Sequence, residues 1–216
     1  MKLYSLSLLG CLMLIQGCAL FDAGGADANR KNASSAETQL HSPELAFSIT
    51  VQQPWQIQVK DARLLDRKHT AEIQEFSVAR PAPSSAPLLI VSIPDGKTLV
   101  PPTIQVNYRE KNAQGKTDPV ELLEQQLYYL RSAYQGFSYQ SEPELVHTST
   151  HDAACARFKT QSNVELGGKL QEENVMMKFC LIPRGDLMFM IAIAADAESF
   201  PKYQSSFDEM LESVRL

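Results

Sequence analysis

The sequence predicts an α+β domain built on an antiparallel sheet with helices on both of its faces. Three observations carry this. Candidate elements follow one another in the order strands, helix, strand meander, helix, whereas strictly alternating strands and helices would argue for a parallel sheet. Two long alternating runs flank Gly167-Gly168 and read as the arms of one hairpin. The run Leu187 to Ala194, Leu-Met-Phe-Met-Ile-Ala-Ile-Ala, is apolar on both alternating faces, which suits a central strand covered on both sides.

The first element is an export signal. Lys2 precedes an apolar run from Leu3 to Ile15 broken only by serines and a glycine, the basic-then-apolar order of a secretory leader. The run falls short of the roughly 20 apolar residues that span a bilayer. Leu14-Ile15-Gln16-Gly17-Cys18 resembles the lipobox of bacterial lipoproteins, in which a small residue precedes an acylated cysteine. The resemblance implies a signal peptide over residues 1–17, cleavage before Cys18, and anchoring in the lipid bilayer through acylated Cys18. Gln16 departs from the commonest residue at its position. The alternative is an ordinary secretory signal in which the cysteine plays no part. Ala19, not an aspartate, follows the cysteine, and by the same resemblance this implies the outer membrane, facing the periplasm. Two or more acyl chains hold a protein stably at about 0.8 kcal/mol per buried methylene, so the domain needs no membrane-binding face of its own.

Removing residues 1–17 from 216 leaves 199, enough for one domain with a sizeable core. Loss of Lys2 takes the formal charge from -5 to -6. So acidic a chain has no general attraction to nucleic acid, and no nucleic-acid partner is expected. From Ala19 to about Pro43 the chain is rich in Ala, Gly, Asn, Ser and Asp without apolar periodicity, so residues 18–44 read as the lipidated cysteine and a disordered tether. About 25 such residues reach roughly 25 to 30 Å. Residues 45–216 read as a single globular domain.

Within that domain, Ala46 to Val51 alternates as a strand with Phe47, Ile49 and Val51 on one side, and Gln56 to Val59 follows after Pro54-Trp55. Residues 61–86 show no clear pattern before the Ala79 to Pro83 break. Leu88 to Ile93 is an apolar strand closed by Pro94-Asp95-Gly96, and Thr103 to Tyr108 alternates again. Asp118 as N-cap, Pro119 in the first turn and Glu121 three positions after the cap start a helix whose stripe is Val120, Leu123, Leu127, Leu130 and Tyr134, with Gly136 as its stop. Strands follow at Phe137 to His147, Ala153 to Glu165, Leu170 to Ile182 and Leu187 to Ala194. A last helix runs from Phe200 to Val214, with Ser199 as its cap and Phe200, Tyr203, Phe207, Leu211 and Val214 on one face.

Four cysteines divide by position: Cys11 leaves with the signal, Cys18 would be acylated, and Cys155 with Cys180 remain. If Gly167-Gly168 is a two-residue hairpin loop, opposed residue numbers sum to 335, and Cys155 and Cys180 meet that sum. Counted from the closing Leu166 and Lys169 pair they fall on a non-hydrogen-bonded position, with Cα atoms about 4.5 Å apart, which permits a disulfide. The same register puts Ala156, Phe158 and Thr160 opposite Phe179, Met177 and Val175 on a core face, and Arg157, Lys159 and Lys178 on the cysteine face. Closing the 26-residue loop would stabilise the fold by roughly 3 to 4 kcal/mol. A bulge in the long hairpin would leave two reduced cysteines instead.

Taken together, Pro54-Trp55 after a strand, the capped helix Asp118 to Tyr134 after Thr103 to Tyr108, the meander and the ending Phe207 to Leu216 resemble the PsbP-like families, which include bacterial DcrB-type lipoproteins. The likeness covers about residues 45–216 and implies an α/β/α sandwich. Such families are mostly binding or assembly factors, so the resemblance points away from catalysis and assigns no partner. The tether, the permanent anchor and the missing catalytic set predict a non-catalytic envelope module that binds or helps assemble another envelope protein, without cofactor.

The alternative chemistry is thin. His147, His151 and Asp152 offer two imidazoles and a carboxylate for Zn²⁺ in a metal-dependent or hydrolytic enzyme. A polar loop between strands accounts for them as well, since no helix sets both histidines on one face. Arg184-Gly185-Asp186 is a turn before it is an adhesion tripeptide. Met176, Met177, Met188 and Met190 alternate along strands as packing groups. No nucleophile elbow, phosphate loop or dinucleotide fingerprint occurs. The expectation is therefore no catalytic set, no metal site, lipidation at Cys18 and a disulfide between Cys155 and Cys180.

Overall fold

The computed structural model describes residues 37–66, 87–94, 98–111, 118–166 and 169–216. The export signal, Cys18, residues 67–86, Asp95 and Gly96 of the turn, and the Gly167-Gly168 loop lie outside them. In chain order the described strands are β1 (Thr38–Ser42), β2 (Phe47–Val51), β3 (Gln56–Lys60), β4 (Leu65–Asp66), β5 (Leu89–Ser92) and β6 (Thr103–Glu110). Helix α1 (Pro119–Ala133) is followed by β7 (Gln135–His147), β8 (Asp152–Leu166), β9 (Lys169–Arg184), β10 (Leu187–Asp196) and helix α2 (Pro201–Glu212).

The architecture is α+β. One antiparallel sheet of seven strands has the order β3-β5-β6-β10-β9-β8-β7, and a second of three has the order β2-β1-β4. Strand β10 is the middle of the large sheet, paired with β6 and β9, and Met188 to Ala195 are all buried. Its side chains divide by the strand's period of two. Phe189, Ile191, Ile193 and Ala195 join a core that contains Phe207, Met210 and Leu211 of α2 and Phe47 and Ile49 of β2. Met188, Met190, Ala192 and Ala194 join another that contains Leu122, Leu123, Leu127 and Leu130 of α1. The stacked Phe47 and Phe189 rings, 4.9 Å between centroids, tie the small sheet to the large one.

Helix α1 starts where the sequence places it. The Asp118 carboxylate accepts from the N–H groups of Val120 and Glu121 at 2.9 and 3.0 Å, which satisfies two of the donors a helix start leaves open. Helix α2 corrects an expectation. The residue before Pro201 is Phe200, in helical conformation and without a side-chain cap. Ser199, expected to cap, instead turns its hydroxyl to Asp196 O, while Asp196 Oδ1 accepts from the N–H groups of Glu198 and Ser199. Phe200 is buried, so an apolar anchor stands where a polar cap would stand, and an aspartate turn leads the chain into the helix.

Of the tether expected over residues 18–44, the part from Thr38 to Ser42 is ordered, and residues 18–36 lie outside the described residues. Thr38–Ser42 is a strand, paired with β2 from Thr38 opposite Val51 to Ser42 opposite Phe47 and also with β4. Leu40 and Ser42 face the core while Gln39 and His41 are partly exposed. With one apolar residue in five, the alternation was too weak to read.

The β8–β9 hairpin has the expected register without a bulge, from Leu166 opposite Lys169 through Phe158 opposite Met177 to Cys155 opposite Cys180. Beyond Gln161 strand β8 has no further β7 partner, and before Val175 strand β9 has none on β10. Ser162–Leu166 and Lys169–Glu173 therefore run past the sheet as a two-stranded ribbon, roughly 17 Å long at 3.4 Å per residue. Both edges of the large sheet are irregular. Strand β3 is short and its register shifts between Ile57 and Val59, and β7 shifts register three times along its length and carries Pro143. Such features blunt an edge against pairing with another chain.

Candidate functional site

Cys155 and Cys180 are joined by a disulfide, with Cα atoms 4.2 Å apart as befits a non-hydrogen-bonded pair. Both are buried in the core that α2 shares. Their neighbours on that face are accounted for locally. Lys178, opposite Arg157, pairs with Asp208 of α2 at 2.5 Å and sits over the Phe207 ring at 5.5 Å. The lysine is a contact between sheet and helix, and Arg157 and Lys159 are only partly exposed. These three residues form no open basic patch. The four methionines pack: Met177, Met188 and Met190 are buried in the α1 core and Met176 lies against the other.

His147 and Asp152 flank the loop that joins β7 to β8 and His151 lies within it, and the loop brings only the first two together. His147 Nδ1 lies 2.7 Å from Asp152 Oδ1, and both side chains are largely exposed. His151 turns to Thr150, whose Oγ1 is 3.0 Å from Nδ1, and burial holds its pKa below the ordinary histidine value. Among the described residues no group of three or more His, Cys, Asp or Glu side chains could hold a metal ion. Arg184, Gly185 and Asp186 form the β9–β10 turn: Gly185 has φ 51°, Arg184 donates to Ala46 O, and Asp186 O accepts from Lys111 N–H at 2.7 Å.

An open groove of roughly 830 Å³ runs along α2, lined by Gln52, Pro201, Gln204, Asp208, Glu212 and Arg215 among others. Its carboxylates are engaged. Asp208 holds Lys178 and Glu212 accepts from Ser149 N–H at 2.8 Å, a bond that lowers the Glu212 pKa.

The surface with the clearest recognition chemistry was not singled out in the sequence. It lies where α1 meets β7. The buried Phe158 ring stacks on Phe137 at 4.7 Å, and Phe137 meets exposed Tyr139 edge-on at 5.1 Å, so an aromatic ladder climbs from core to surface. Burial, then the charge of Glu142, raises the Tyr139 pKa, Arg131 opposes the rise and Glu124 adds to it, so charges of both signs act on the phenol. Tyr128, 73 % exposed, and Tyr129 touch edge-to-face at 5.7 Å on the outer side of α1. The signal was present: Tyr128 and Tyr129 fall off the apolar stripe of a well-read helix, where two adjacent aromatic residues serve no core.

No helix among the described residues is long and apolar enough to cross a membrane. No family model matches the chain, and no curated protein matches it. Solved structures to which the chain is similar include cyanobacterial PsbP (CyanoP) from Synechocystis, at TM-score 0.48 and 9% identity over 89% of this chain and 98% of that one. LpqN, involved in cell envelope biogenesis of Mycobacterium tuberculosis, gives 0.48 and 16% over 83% and 90%. PA94 from Pseudomonas aeruginosa, a protein of unknown function, gives 0.47 and 12% over 82% and 96%.

Proposed function

We propose that the chain is a lipid-anchored, non-catalytic protein of the cell envelope that binds, or helps assemble, another envelope protein. The observation that carries this reading is the buried Cys155–Cys180 disulfide, since such bonds form and persist in oxidising compartments outside the cytoplasm. Export and anchor rest on the leader and Cys18 of the sequence. In the same reading α1 and α2 cover opposite faces of the large sheet as a PsbP-like α/β/α sandwich, in keeping with the division of the β10 side chains. Binding is assigned to the α1–β7 surface. Interface hot spots are enriched in tyrosine and arginine, tyrosine offering large contact area at low entropic cost with a polar handle and arginine a charged planar fork. Irregular sheet edges argue against partner binding by strand addition.

Two measurements test it. Metabolic labelling with a fatty acid should mark the wild-type chain in the outer-membrane fraction and leave Cys18→Ser unlabelled; an unlabelled, soluble wild-type chain refutes the anchor. Crosslinking in intact envelopes should recover a partner that is lost in the Tyr128→Ala, Tyr139→Ala double variant while its unfolding midpoint stays within about 4 °C of wild type, the shift that about 1 kcal/mol gives. Undiminished crosslinking by that variant refutes the surface.

A second reading, a metal-dependent or hydrolytic enzyme, has one observation in its favour, the 2.7 Å His147 to Asp152 pair that leaves His147 Nε2 available as a ligand or base. Stoichiometric metal in chelator-free protein, lost in His147→Ala, would favour it over the binding module.

A further inference from the structure

The loop between β7 and β8 is fastened to the end of the chain. Ser149 N–H donates to Glu212 Oε1 at 2.8 Å, Thr150 Oγ1 donates to Val214 O at 2.8 Å, and Arg215 Nη1 reaches Thr150 Oγ1 at 3.3 Å. Arg215 in turn exchanges both backbone hydrogen bonds with Ser48 of β2, at 2.8 and 2.9 Å. Loop, helix end and small sheet thus form one connected unit, with His151 beside its central threonine.

The proton arrangement on His151 follows from hydrogen-bond counting. The single Thr150 hydroxyl proton goes to Val214 O, so towards the ring that hydroxyl accepts, and Nδ1 carries the imidazole hydrogen. Nε2 is then the bare nitrogen, and it is buried without a hydrogen-bond partner. A second proton has only Nε2 to occupy, where it makes a charged N–H with no acceptor.

We propose that residues 148–151 are an acid-released latch: protonation of His151 at Nε2 frees the loop from the C-terminal segment and loosens the Ser48–Arg215 bridge that joins β2 to the end of α2. The charged groups facing the ring are Glu212 and Arg215 from the C-terminal side and Asp152 from β8, the last already paired with His147. Burial, with Arg215, outweighs the attraction of Glu212 and Asp152 and depresses the His151 pKa. The latch is therefore at full strength above about pH 6.5, the unfolded histidine value, and weakens as pH falls from there towards the depressed folded value.

Amide hydrogen exchange on the mature chain, corrected for the intrinsic pH dependence of exchange, tests this. Protection of Ser48, Ser149 and Arg215 should fall at least about tenfold between pH 7.5 and 5.0, while Cys180 in the core keeps its protection. His147→Gln should retain the fall and His151→Gln should abolish it. Unchanged wild-type protection, or the same fall in His151→Gln, overturns the latch. The His151 ring resonance of the wild-type chain gives a reading free of any variant: titration below about 6.5 supports the proposal, and titration at or above it overturns it.

Discussion

Single residues hold this fold under small, testable strains. Ala46 has φ 44° and is exposed, a left-handed conformation that costs an L-residue roughly 1 to 2 kcal/mol and glycine almost nothing. Ala46→Gly should raise stability in urea by up to about 1 kcal/mol after the added freedom of the unfolded chain is counted; a loss would show that Ala46 is not strained. Gly136 shows the reverse. At φ 62°, an added Cβ would lie 2.6 Å from the Gln161 side chain, so Gly136→Ala should lower stability by at least about 1 kcal/mol, and Gly136→Ala with Gln161→Ala should recover only the part due to crowding. Asp61 gives an acid signature. Its hydrogen bond to Arg63 lowers its pKa, so the stability it contributes is present above its unfolded value of about 3.9 and is lost as pH falls through the lower folded value. Wild type should exceed Arg63→Gln in stability at pH 6, and the gap should narrow below about pH 4; a constant gap would sink the assignment.

The two helices differ in how they begin, and that difference is measurable. Asp118→Ala removes a side chain bonded to two open N–H groups and should cost about 1 kcal/mol in chemical denaturation. At α2 the corresponding loss should come from Asp196→Ala, five residues before Pro201, and Ser199→Ala should cost less; the opposite ranking would restore Ser199 as the cap. This contrast shows what local sequence can carry. Helix α1 was legible because its cap, its proline and its apolar stripe all agree at one place. The start of α2 was not, because a buried Phe200 and the Asp196 turn are tertiary facts that no cap motif records. Strand β1 was illegible for another reason: Leu40 is its single large apolar residue, so nothing in its own five residues marks it as the partner of the neighbouring β2.

For the molecule as a whole, the large sheet was readable wherever its register follows from a short turn. A two-residue loop fixes which side chains share a face along both arms, and that arithmetic placed Cys155 opposite Cys180 and separated Phe158 from Lys159. Function was less legible. His147 and Asp152 pair with each other while His151, next to Asp152 in sequence, turns to Thr150, and Tyr128 and Tyr139, eleven residues apart, are exposed on two neighbouring elements, α1 and β7. Adjacency along the chain overstated the first group and hid the second.

The ribbon beyond Gln161 has a consequence for limited proteolysis. It is the part of the hairpin held by two strands alone, and such a pair is marginal in water. Among the sites of this hairpin, trypsin should therefore cut after Lys169 ahead of those within the packed sheet at Arg157, Lys159 and Lys178. The disulfide lies closer to the strand ends than the cut, so it bridges the two pieces. Nicked protein should migrate as one band on a non-reducing gel and as two bands after reduction, whereas separation without reductant would mean that the two cysteines are not joined.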